Sequence, residues 1–178
     1  LKSFARRAYI FHKINTFATQ QIIKTMSNTY SQIYLQFVFA VQGRLSLIQQ
    51  QWRDELYKYI SGIIERKEYK VFAINGVADH IHILVSMKPT ESPSLLVQEI
   101  KRCSSKWIND KKLVVGHFNW QEGFGVFSYS QSQVDQVVKY IANQEEHHKR
   151  KTFIEEYTKM LSCFNIDYDE RFIFHKIE

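Results

Sequence analysis

Asp79-His80-Ile81-His82-Ile83-Leu84-Val85 is the stretch on which the reading of this chain turns. Apolar and β-branched residues alternate there with two histidines, the pattern of a β-strand. Successive strand side chains point to opposite faces, so His80 and His82 share one face and Ile81, Ile83 and Val85 the other. Two imidazoles so placed can grip one metal ion, while the apolar face anchors the strand in a core. The same pattern also describes a hairpin strand with two surface histidines, and the stretch alone does not separate these readings.

The flanks set the fold. Lys70 to Ile74 reads as the preceding strand, with Asn75-Gly76 as the hairpin signal before the histidine strand, which runs to Met87. Further upstream, Tyr30 to Val41 alternates: Ile33, Leu35, Phe37 and Phe39 face one way, Gln32, Tyr34 and Gln36 the other. Gly43-Arg44 ends it. From about Leu47 to Lys67 the pattern is helical, with Leu56, Tyr59, Ile60, Ile63 and Ile64 as its stripe. Downstream, Ser92-Pro93 marks a helix start, with serine as cap and proline first. Leu96, Ile100, Cys103 and Trp107 share one face of that helix. Phe118 to Ser130 is strand-like, and Gly123 and Gly125 within it suggest a bulge or a close backbone approach. Ser130 or Ser132 then caps a helix over about 132 to 148, and a shorter helix follows near Thr152 to Ser162. The order β-α-β-β-α-β predicts an α+β fold. It is the ferredoxin-like, RRM-like antiparallel sheet with helices on one face, followed by a C-terminal helix.

Bulk properties narrow the classes. The 178 residues suffice for one domain with a real core, and 44% are hydrophobic. No apolar run approaches the roughly 20 residues of a membrane span. Cys103 and Cys163 lie in no ligand-like spacing, which excludes a disulfide framework and suggests a reducing compartment. Of the net charge of +6, the first 25 residues hold five basic and no acidic groups, so the body is nearly neutral. Residues 1–25 read as an extension upstream of a native start at Met26, with a targeting peptide or a nucleic-acid-binding arm as alternatives. Residues 26–178 read as a single domain with a helical tail.

The late helix carries a second group of polar residues. Val134, Val137, Val138 and Ile141 form its buried stripe, and Tyr140 lies beside it. Gln144, four residues on, is rotated by only about 40°. His147 falls near the same edge and His148 closer to the apolar side. An ordinary polar helix edge has this pattern too. Together with the histidine strand, however, the residues are no longer generic. His80-Ile81-His82 after Asp79 resembles the His-hydrophobic-His signature of the HUH endonucleases. Tyr140-Ile141-Ala142-Asn143-Gln144 resembles the tyrosine motif of the single-tyrosine HUH transposases of small insertion sequences, the REP-associated transposase-like superfamily. Trp120-Gln121-Glu122-Gly123-Phe124-Gly125-Val126-Phe127-Ser128 is similar to the strand before that helix in the same family. Glu145-Glu146-His147-His148-Lys149 and Phe153-Ile154-Glu155-Glu156-Tyr157 also resemble it. The likeness spans roughly Met26 to Phe174; residues 1–25 have no counterpart in it.

The resemblance implies a metal-dependent strand transferase. Tyr140 attacks a phosphodiester of single-stranded DNA, the protein is joined to the 5′ phosphate, and another 3′ hydroxyl later reseals the strand. A phenol, with a pKa near 10, is a good leaving group in that resealing step. Phosphodiester energy is conserved, in keeping with the lack of a GxxxxGK loop and of any nucleotide cofactor. His80 and His82 would be metal ligands and Gln144, by analogy, the third. Imidazoles alone suit several ions; the family implies Mg2+ or Mn2+. Asp79 either orients a histidine or ends the turn. His147 and His148 either support the metal, contact DNA or cap a solvated helix end. Lys101, Arg102, Lys106, Lys111 and Lys112, and a second cluster of Lys149, Arg150 and Lys151, are candidate phosphate contacts. The family also implies hairpin-containing element ends as substrate and a homodimer whose subunits exchange tyrosine helices. It implies no membrane association and places the protein in the prokaryotic cytoplasm or nucleoid. Rival readings are another HUH enzyme (replication initiator, relaxase or domesticated palindrome-processing relative), a metallohydrolase that leaves Tyr140 unexplained, and a non-catalytic RRM-like module binding through exposed aromatics.

Overall fold

Alternation of β-branched and aromatic residues with polar ones builds the sheet. In the computed structural model, which describes residues 9–10 and 30–173, there are five strands: β1 (Tyr9–Ile10), β2 (Ile33–Ala40), β3 (Lys70–Gly76), β4 (His80–Met87) and β5 (Gly125–Tyr129). They run antiparallel in the order β1-β3-β4-β2-β5. The histidine strand β4 is therefore paired on both edges. His82 lies opposite Val38 on one side and Asn75 on the other.

One face is covered by α1 (Gln50–Arg66) and α2 (Pro93–Asp110). Phe37, Phe39, Ile81, Ile83 and Val85 are fully buried there against Leu56, Ile60, Leu96 and Ile100. Each such burial contributes about 1.5–3 kcal/mol before the cost of ordering. Ser92 caps α2, accepting a hydrogen bond from Leu95 N at 3.4 Å, with Pro93 in the first turn.

Helices also cover the opposite face. There α3 (Val134–Ala142) packs Val134, Val137 and Ile141 with Tyr34, Ala73 and Leu84. The helix α5 (Phe153–Cys163) packs Phe153, Tyr157 and Leu161 with Val38, Ala40 and Phe127. The short α4 (Gln144–His148) joins them. The sheet is the middle of three layers, and the histidines lie on the side covered by α3 and α5. The open aromatic platform that an RRM-like reading needs is under helices.

Three local expectations are corrected. Asn75-Gly76 belongs to β3; the turn is Val77 to Asp79, closed by Val77 N donating to His80 O at 3.1 Å. A register shift lies upstream, between Val71 and Ala73. The extra residue turns Ile74 into the α1/α2 core and Asn75 onto the face of His82. Gly76 permits a close approach: a Cβ there would lie 2.1 Å from His80 O. The helix expected over 132 to 148 is instead interrupted. Ser130 caps a single 3-10 turn, then α3 runs to Ala142 and α4 begins at Gln144. Asn75 Nδ2 donates to Ile141 O and Ala142 O, both at 3.0 Å. These are carbonyls that a continuous helix would pair with residues 145 and 146. Finally, the strand expected from Phe118 shortens to Gly125–Tyr129, with Trp120 bridging Val41. Gly125 lies against the Tyr157 ring, 2.7 Å from where its Cβ would be.

The readings of residues 1–25 fall outside the described residues, apart from Tyr9 and Ile10, which pair with Ile74 and Ala73. No helix among the described residues is long and apolar enough to cross a membrane.

Candidate active site and metal centre

Strand β4 presents His80 and His82 side by side, ring centroids 5.2 Å apart, both 0% exposed. Each ring is held through Nδ1. His80 Nδ1 is 2.7 Å from Asp79 Oδ1, and Asp79 Oδ2 accepts from Arg44 Nη2 at 2.8 Å. Asp79 thus orients a histidine as well as ending the turn. Burial pushes its carboxyl up, but His80 and Arg44 outweigh that and hold it at about 2. His82 Nδ1 is 2.9 Å from the Gln36 amide, and Gln36 in turn accepts from the Tyr129 hydroxyl at 2.8 Å. In both rings Nε2 is left pointing across the site.

What it points at was not singled out by spacing. Glu156, on α5, is 3% exposed and sits at the centre of the cluster. Its Oε2 lies 3.5 Å from His80 Nε2, 3.4 Å from His82 Nε2 and 3.0 Å from His148 Nε2. Its Oε1 accepts from Gln144 Nε2 at 2.8 Å and from the Tyr140 hydroxyl, and lies 3.5 Å from His147 Nε2. One carboxylate oxygen therefore faces imidazoles and the other faces the phenol and the amide. A sequence signal for Glu156 did exist. Phe153, Tyr157 and Leu161 form the buried stripe of α5, and Glu156 stands inside that stripe, where a carboxylate is out of place.

The electrostatics follow from this crowding. Burial pushes the Glu156 carboxyl up, but His82, His148 and His80 around it hold it well below the usual carboxylate range. Burial lowers His80, yet the facing carboxylates of Asp79 and Glu156 win and its pKa is raised. Burial also lowers His82, and there it wins over Glu156. The Tyr140 hydroxyl is raised by burial first and by the facing Glu156 second, so it rests as the neutral phenol.

Whether these residues fit a cation is tested by their unmet bonds. His80 Nε2, His82 Nε2, Gln144 Oε1 and His147 Nε2 are buried and have no hydrogen-bond partner. Buried polar atoms rarely stay so, since each costs about 1–3 kcal/mol. His148 Nδ1 bonds Lys151 O at 3.0 Å. His80 and His148 each meet an acceptor at Nδ1, so at Nε2 each faces the Glu156 carboxylate either as an N–H donor or, as a lone pair, across a cation. Ligand atoms of His80, His82, His148 and Glu156 all lie within 4.8 Å of one another. Two or three imidazoles, an amide oxygen and a carboxylate form a donor set that suits a divalent cation.

The other candidates separate by layer. Tyr140 packs its ring edge-on to His82, centroids 5.9 Å apart, within the same chain. His148 joins the cluster, and His147 stands at its edge, 26% exposed. The α2 basic residues lie on the far side of the sheet, and most are engaged there. Lys101 Nζ donates to Gln121 O at 2.7 Å and to Gly123 O, and burial lowers its pKa to about 8. Lys106 pairs Asp110 and Lys111 pairs Glu55. Arg102 and Lys112 are exposed in the same layer. Near the site, Lys149 pairs Glu146, whereas Arg150 and Lys151 form no ion pair among the described residues and line the cavity beside Tyr140.

A family model described as IS200-like transposase matches residues 29–144. No curated protein sequence matches. A structure assigned as a transposase from Deinococcus radiodurans R1 is 19% identical with a TM-score of 0.55, covering 68% of this chain and 97% of that one. A REP-associated tyrosine transposase bound to a REP hairpin is 16% identical with a TM-score of 0.53, covering 69% and 73%. At these identities the two structures speak for the fold.

Proposed function

This chain belongs to the family of IS200-like transposases, and on that premise we propose that it cleaves and rejoins single-stranded DNA through a 5′-phosphotyrosine on Tyr140. One observation carries the reading. The Tyr140 hydroxyl and the unpartnered His80 Nε2, His82 Nε2 and Gln144 Oε1 gather around the single carboxylate of Glu156. A nucleophile, a proton acceptor and a cation-binding donor set stand in one buried place.

His80, His82 and Glu156, with Gln144 or His148, would hold a divalent ion, Mg2+ or Mn2+. Such an ion, when bound, supplies Lewis-acid stabilisation of charge on the phosphate oxygens. The chain's own groups do the rest. Asp79 and Gln36 fix the two imidazole rings. Glu156 Oε1 takes the proton as Tyr140 Oη attacks phosphorus. The new bond joins Oη to phosphorus, the bond from phosphorus to the 3′ oxygen breaks, and that oxygen takes the proton on from Glu156 and leaves as a hydroxyl. Resealing runs the same step backwards with a second 3′ hydroxyl, and Glu156 returns the proton to Tyr140. The DNA we propose is single-stranded, with a hairpin beside the cleaved position.

The test uses hairpin-bearing single-stranded oligonucleotides labelled at the 3′ end and incubated with the protein and Mn2+. A labelled band that survives denaturing electrophoresis is expected with wild type and is absent with Tyr140→Phe. A Tyr140→Phe protein that still forms the adduct would remove Tyr140 from the reaction.

A further inference from the structure

Tyr140 lies in the walls of two cavities. One is lined by Gln136, Lys139, Asn143, His147, Arg150 and Lys151, with Glu146, which pairs Lys149, also in its wall. The other, of about 530 Å³, lies between α3 and α5 and also reaches Glu156. Its apolar lining is Tyr129, Val137, Met160 and Phe164, and its polar lining includes Gln133, Gln136 and Lys159. The proposed strand transfer uses Tyr140 and Glu156 and leaves the rest of this second cavity without a role.

Its chemistry matches one component of the substrate. Aromatic rings of Tyr129 and Phe164, set edge to face with centroids 5.4 Å apart, offer apolar surface to a planar ring. Base–aromatic stacking is tolerant of sequence because every base has a π face. Each glutamine amide carries a donor and an acceptor, as the edges of bases do. Lys139, Arg150, Lys151 and Lys159 form no ion pair among the described residues, unlike Lys106, Lys111 and Lys149. Unpaired cations thus gather around Tyr140, where phosphates would pass. The volume suits a nucleotide-sized group and falls within the range of small-ligand sites, roughly 300–1,000 Å³.

We infer that the cavity between α3 and α5 is a nucleobase pocket, holding the base of the nucleotide next to the scissile phosphate, unstacked from its neighbours. This rests on the strand-transfer reading of Tyr140. The base lies against Tyr129 and Phe164, Gln136 meets its edge, and Lys151 and Lys159 hold the flanking phosphates.

The chain carries its own reporter. Cys163 is exposed and lines this cavity, while Cys103 sits on α2 in the opposite layer. Alkylation of both thiols by N-ethylmaleimide is followed by mass spectrometry, with dT12, dA12, dC12 or an abasic 12-mer present, and binding is read in parallel by anisotropy. The base-bearing strands are expected to slow alkylation of Cys163 and leave Cys103 unchanged, and the abasic strand to leave both unchanged. Phe164→Ala should weaken binding of base-bearing strands about 5- to 150-fold, the equivalent of one stacked base. Gln136→Ala, at an exposed helix position, should weaken them more than the abasic strand. Equal protection by the abasic strand would assign the cavity to the backbone and overturn the pocket. So would strands that bind without shielding Cys163, or a protein that binds none of the three yet still forms the Tyr140 adduct on a hairpin strand. Absence of any adduct, with Cys163 shielded, would instead remove the strand-transfer reading and with it the placement next to a scissile phosphate.

Discussion

Glu156 is the residue on which the site depends. A carboxylate this buried needs compensation, because an isolated buried charge costs several kcal/mol. Here the compensation is four histidines, an amide and a phenol from three separate elements. Removing the charge while keeping the shape separates its roles. In Glu156→Gln, Oε2 no longer offers a negative ligand to the imidazole side, so Mn2+ affinity, read by electron paramagnetic resonance, should fall by at least about 10- to 100-fold. The amide is also a poor proton acceptor, so the adduct rate should drop by about 10²–10⁴. An unchanged or higher Mn2+ affinity would mean that Glu156 merely fills the cation's place and must be displaced from it.

At the scale of elements, the two basic clusters differ in what surrounds them. The α2 lysines are committed to Gln121 O, Asp110 and Glu55, on the far face from Tyr140. Arg150 and Lys151 stand beside it and form no ion pair among the described residues. Each phosphate contact on a single strand contributes a slope of about −0.7 in log K against log salt. Lys151→Ala with Arg150→Ala should therefore flatten the slope by about 1.4 units, measured by anisotropy over a salt series. Lys106→Ala with Lys111→Ala should leave it unchanged. A flattening in the α2 pair would move the DNA path to the other layer. The same contrast shows what the sequence can and cannot disclose. Periodicity is local, so β2, β4, α1, α2 and the stripe of α3 were legible, and so was the shared face of His80 and His82. The bulge at Phe72 was not, because an extra residue leaves no mark in a short alternating run. Through it Asn75 faces His82 and captures the α3 carbonyls at the break before Gln144. Glu156 was legible only as a charge in an apolar stripe, since its partners lie on β4, α3 and α4, outside the helix whose periodicity can be read.

At the scale of the whole molecule, the open matter is how many chains make one site. The family resemblance implies subunits that exchange tyrosine helices. In this chain the tyrosine helix is secured to its own sheet. Val134, Val137 and Ile141 are buried against Tyr34, Ala73 and Leu84, and Asn75 grips the end of α3 through two carbonyls. The break at Asn143 then turns α4 so that Gln144 and His148 reach the same Glu156 as Tyr140. A reciprocal exchange of α3 would rebuild the same contacts on the partner's sheet; what opposes it is the short link of residues 130–133, which joins α3 directly to β5, itself paired to β2 of the same sheet. The expected outcome is a site closed within one chain. Protein carrying Tyr140→Phe and protein carrying His82→Ala, each inactive alone, should stay inactive after mixing, partial denaturation and refolding together. Activity returning to about a quarter to a half of wild type in the mixture, with subunit exchange verified by two affinity tags, would show instead that α3 crosses to a partner.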